Sequence, residues 1–83
     1  MRTQEEIDYQ VQGILEERQT TPEKDFWGRN VWDMADAKVA VLRGVSTSAD
    51  YEEGGYDLNT VNAALDAEVW LNNVEPDNLF EEC

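Results

Sequence analysis

A chain of 83 residues, 41% apolar and carrying three Trp, three Tyr and two Phe, is one domain able to bury roughly 60–65% of the surface its unfolded form exposes, so its composition excludes wholesale disorder. Its formal net charge is −13, from 19 acids, six bases and no His, far beyond the magnitude of about 2–8 that suits a small domain. Binding to bare nucleic acid and to anionic membranes is excluded with it, because both rest on clustered Lys and Arg.

Ile7, Val11, Ile14 and Leu15 recur at helical spacing and predict a first helix over residues 3–18, with Thr3 as N-cap and Glu6 completing a capping box. Gly13 either weakens this helix or admits a close neighbour. Thr21-Pro22-Glu23 reads as a new helix start, since Pro suits the first helical position. The second helix is expected over residues 22–43, stopping at Gly44, with Phe26, Trp27, Val31, Trp32, Met34, Ala35, Val39, Val41 and Leu42 covering the broad arc of a central helix. The run 39–42 also fits a short strand, which would make the fold α+β.

Residues 44–59 are polar and Gly-containing and are expected to form a long acidic loop. A third helix over residues 60–74 follows, capped by Asp57 or Asn59, with Val61, Ala64, Leu65, Val69 and Trp70 for packing and Pro76 beyond its end. Residues 75–83 form an acidic tail around Leu79-Phe80. The expected architecture is thus a single all-α domain spanning 1–83: three helices with a long acidic loop between the second and third.

With no His and Cys83 as the one cysteine, neither the usual zinc ligand sets nor a Ser-His or Cys-His nucleophile can be assembled. No phosphate-cradling glycine motif is present. Asp50, Glu52, Glu53, Asp57 and Asn59 bring oxygen ligands together, but a calcium loop counted from Asp50 places Gly55 correctly and then puts Val61 where the closing Glu belongs. The chain is expected to be non-catalytic, with no cofactor and no metal. A lone Cys forms no internal disulfide, and no apolar leader follows Met1-Arg2-Thr3, which points to the cytoplasm.

Charge is unevenly placed. All six cations lie in the first 43 residues, where nine acids leave a net −3; the remaining 40 residues carry ten acids and no Lys or Arg. The expected partner-binding residues are therefore Asp50, Tyr51, Glu52, Glu53, Tyr56, Asp57, Asp66 and Glu68, in which aromatics supply the desolvated contacts that charge alone does not. The expected partner is a basic protein surface, such as the nucleic-acid groove of a nucleic-acid-binding protein, blocked by a nucleic-acid mimic. In size and charge the chain resembles small viral inhibitors of host defence nucleases, the anti-CRISPR and anti-restriction DNA mimics; that resemblance is one of composition and rests on no motif. The alternative is a helical adaptor or assembly subunit that binds through an apolar helix face, and a homodimer through such a face would have to turn its acidic halves apart.

Overall fold

The computed structural model describes residues 2–72. They form four helices, α1 (Gln4–Thr20), α2 (Val31–Leu42), α3 (Ser48–Glu53) and α4 (Leu58–Asn72). The all-α expectation holds, and residues 39–42 lie within α2.

Helix α1 starts as its sequence dictates. The Thr3 hydroxyl accepts from the Glu6 N–H, and the Glu6 carboxylate accepts from the Thr3 N–H at 3.1 Å. Gly13 faces open space, with nothing near where a Cβ would stand. It serves no close packing, so Gly13→Ala is expected to raise stability by about 0.5–1 kcal/mol, read as a higher midpoint in urea.

The second helix begins at Val31 rather than at Pro22, and Thr21 is the C-cap of α1 rather than the N-cap of α2. Asp25 is the reason. Its carboxylate accepts from the backbone N–H of Trp27 and of Arg29, each at 2.9 Å, and from Arg29 Nε at 2.6 Å. Its own N–H donates to the Arg29 carbonyl, and its carbonyl accepts from Gly28 N–H. Gly28 turns the chain at φ 78°, and an isolated antiparallel bridge joins Lys24 to Asn30. An aspartate that satisfies turn amides competes directly with helix. Asn30 then caps α2 by accepting from Asp33 N–H.

Helix α2 ends as expected. Gly44 takes φ 76°, and the bonds Gly44 N–H to Val41 O and Val45 N–H to Ala40 O form a Schellman motif. A second Schellman motif closes α3: Gly55 has φ 78°, its N–H reaches Glu52 O, and Tyr56 N–H reaches Tyr51 O. The accompanying side-chain contact is the edge-to-face pair Tyr51–Tyr56, with centroids 5.0 Å apart.

Helix α2 is central, packing on α1 and most extensively on α4, while α3 packs on α4. Ile7 and Val11 of α1, Ala37, Val39, Val41 and Leu42 of α2, and Ala64 and Ala67 of α4 form the buried core. The face of α4 that packs is Thr60, Ala63, Ala64 and Ala67; Leu65 and Val69, expected inside, point outward. Small side chains on that face let the two helix backbones approach closely, and the larger Ile14, Leu15, Tyr51, Trp70 and Leu71 cover the rim.

Not one of the three Trp is buried. Instead each carries an arginine: Arg2 lies 4.6 Å from the Trp70 ring, Arg18 4.9 Å from Trp32 and Arg29 5.1 Å from Trp27. Each of those arginines also holds a carboxylate: Glu6, Asp36 and Asp25 respectively. Every contact of this kind is worth about 0.5–1 kcal/mol at an exposed site. Together they engage three of the four arginines with aromatic rings.

Candidate functional site

With those arginines tied to the Trp rings of α2, the 22–30 loop and the far end of α4, the stretch from Gly44 to Asn72 carries six carboxylates and no Lys or Arg of its own. The expected long loop is not irregular throughout: it contains α3. What folds α3 is a concentration of capping groups. Thr47 and Asp50 form a capping box, with the Asp50 carboxylate accepting from Thr47 N–H at 2.8 Å. Glu68 of α4 then accepts from Ser48 N–H at 2.6 Å and from the Ser48 hydroxyl at 2.8 Å. A six-residue helix is far too short to persist alone, so these caps and the Tyr51 contact with the core hold it.

The eight expected binding residues thus divide by what they do. Glu68 is half-buried, and both its oxygens serve Ser48. Asp50 closes the α3 capping box. Asp57 caps α4, accepting from Thr60 N–H at 3.0 Å. Hydrogen bonds from the Thr60 side chain and backbone hold the Asp57 carboxyl below its ordinary value, outweighing desolvation, so it stays ionised. Tyr51 is half-buried against the core, and Tyr56 is about half exposed against its ring. Glu52, Glu53 and Asp66 are exposed, and no hydrogen bond or ion pair engages their carboxylates within the described residues. They are free to meet a partner.

Sequence reading missed the apolar part of this surface. Leu58, Leu65 and Val69, at i, i+7 and i+11 on α4, fall on one helix face and are 72%, 46% and 54% exposed. Their spacing was visible, but the same residues also fit a packing face, and only the alanines opposite show which way the helix turns. The result is an apolar stripe beside Asp66 on the cation-free half. No group of three or more His, Cys, Asp or Glu side chains is arranged to hold a metal among the described residues, and no helix there is long and apolar enough to cross a membrane. Residues 75–83, the expected acidic tail, lie outside the described residues.

These features define a small helical domain whose α3–α4 stretch is acidic, free of cations and flanked by exposed apolar side chains. No protein-family model, curated protein or solved structure matches the chain.

Proposed function

We propose that this protein is a non-catalytic inhibitor or blocking factor that seats its α3–α4 half in a basic groove of a partner protein, one built for nucleic-acid phosphates. The observation that carries the reading is the pairing of the exposed Leu58–Leu65–Val69 stripe with exposed Glu52, Glu53 and Asp66 in a segment lacking any cation. Carboxylates attract and orient a basic surface across a Debye length of about 8–10 Å, and apolar contacts at the centre of an interface supply the desolvated energy. A nucleic-acid groove filled in this way excludes its own ligand by occupation and by charge.

The test is competition. The protein, immobilised at low salt, captures partners from a lysate, and duplex DNA or RNA is then applied. The reading expects nucleic-acid-binding proteins to be released by the polyanion, and their binding to weaken steeply between roughly 50 and 200 mM salt, as a phosphate-like contact does. A triple variant, Glu52→Gln, Glu53→Gln and Asp66→Asn, removes charge without touching a cap and is expected to reduce capture at least tenfold while leaving the fold intact. Capture that ignores salt, polyanion and the triple variant would instead favour the adaptor reading, in which the α4 stripe binds alone.

A further inference from the structure

Helix α4 has no Lys or Arg in its last turn. The last carbonyls of a helix find no partner within it, and here two of them are taken by a residue from far earlier in the chain. The Arg2 N–H donates to the Leu71 carbonyl at 3.2 Å, and Arg2 Nε donates to the Trp70 carbonyl at 3.1 Å. The same guanidinium lies 4.6 Å from the Trp70 ring and pairs with Glu6 of α1 at 3.5 Å. The Arg2 side chain is accordingly only 14% exposed. A cation suits this position, because the carbonyl end of a helix carries partial negative charge.

The turn so held lies beyond the core. The buried residues of α4 are Thr60, Ala63, Ala64 and Ala67, all of which precede it. Val69 and Asn72 are exposed, and Trp70 and Leu71 are half-buried at the rim. A helix end with so little buried apolar surface opens locally at lower cost than the core does. Trp70 is also a wall. With Asp66 and Ala67 of α4, Gln10 and Ile14 of α1, and Lys38 and Leu42 of α2, it lines a groove of about 120 Å³. Helices α1 and α4 each pack on α2, and Arg2 crosses between them at the end of that groove, bonded to both.

We propose that Arg2 is a latch on the last turn of α4. Closed, it holds Trp70 beside α1 as a wall of the groove. Open, residues 69–72 leave the helix together, and the apolar lining of the groove, Ile14, Leu42 and Ala67, gains access to solvent while α2 and the rest of α4 stay folded. The two carbonyl bonds, the ring contact and the ion pair all rest on one residue, so they are lost in one event. Val69 belongs to the turn, so the latch also governs whether the exposed α4 stripe is complete, a consequence that rests on the function proposed above.

Backbone hydrogen exchange followed by NMR tests the latch without any partner. In Arg2→Ala, the amides of Val69, Trp70, Leu71 and Asn72 are expected to exchange roughly tenfold faster, because charge-assisted bonds no longer oppose local opening. The amides of Val39, Val41, Ala63 and Ala64 are expected to keep their rates. Lys24→Ala, in the 22–30 loop, removes the same charge from a chain of net −13 and is expected to leave the last turn of α4 unchanged. Unaltered exchange at residues 69–72 in Arg2→Ala would show that Arg2 does not hold the turn. Equal acceleration in all four helices would show that it adds only to global stability, and the same local effect in Lys24→Ala would reduce the latch to net charge. Each of these three results overturns the proposal. None of them bears on polyanion competition by the acidic half, so the two readings fail separately.

Discussion

Ala64→Leu is expected to be the most damaging single substitution in the described fold. Ala64 and Ala37 are both 0% exposed, and Ala63 and Ala67 beside them are 2% and 6% exposed. The α4 side of the α2–α4 seam is therefore lined by small side chains, clustered with Ala37, Val39, Val41 and Leu42 of α2. Three further carbons at Ala64 have no cavity to enter, so the helices must separate or the new side chain must leave its rotamer well. Overpacking of this sort costs about 1–3 kcal/mol and sometimes more; complete burial places Ala64 at the upper end. Against the roughly 4–12 kcal/mol expected for a domain of this length, a loss of about 3 kcal/mol leaves a substantially unfolded population at elevated temperature. Urea denaturation followed by Trp fluorescence measures it. The matched control is Leu65→Ala, one residue along on the exposed face, expected to stay within about 0.5 kcal/mol of the parent. Equal effects at the two positions would mean that the seam is not closed by Ala64.

The contrast between Ala64 and Leu65 also shows what the sequence could reveal. Periodicity identifies α4 and counts Val61, Leu65 and Val69 as packing residues because they are large and aliphatic. It gives no weight to Thr60, Ala63 and Ala67, which form the real contact face because helix α2 approaches so closely. The start of α1 was legible because its capping box is local, written in Thr3 and Glu6 alone. The stop at Gly44 was legible for the same reason, a left-handed turn that glycine adopts without strain. The false start at Pro22 arose because Thr-Pro-Glu is also a good beginning for a turn. What excludes the helix there is Asp25 folding back on Trp27 and Arg29, a competition between two local structures that composition does not decide. For the candidate site, the sequence revealed the absence of cations from the second half but not the division of labour among its acids. Thr47 and Asp50, with Gly54-Gly55 downstream, carried a local signal for α3. The contribution of Glu68, twenty residues away, did not.

That remote contact leads to the second large effect. Glu68→Ala is expected to release α3 from α4 and cost about 2 kcal/mol, because it removes two charge-assisted hydrogen bonds and leaves the half-buried Ser48 N–H without its acceptor. Removing one negative charge from a molecule of net −13 relieves self-repulsion and acts in the opposite direction, so the raw change understates the lost contact. Asp66→Ala, on the same helix but exposed, loses the same charge and no cap; the difference between the two variants isolates the bond to Ser48. Glu68→Gln keeps one acceptor oxygen for the Ser48 N–H while giving up the charge, and is expected to fall between them. Hydrogen exchange locates the effect. The backbone amides of Gly54, Gly55 and Tyr56, bonded within α3 and its closing turn, should exchange faster in Glu68→Ala, while those of α1 keep their protection. Because α3 carries Glu52 and Glu53 on its exposed side, a loosened α3 also disperses the carboxylates proposed to meet a basic groove. Glu68→Ala should then weaken partner capture although Glu68 itself faces inward, and capture at the level of Asp66→Ala would show that the groove does not read the position of α3.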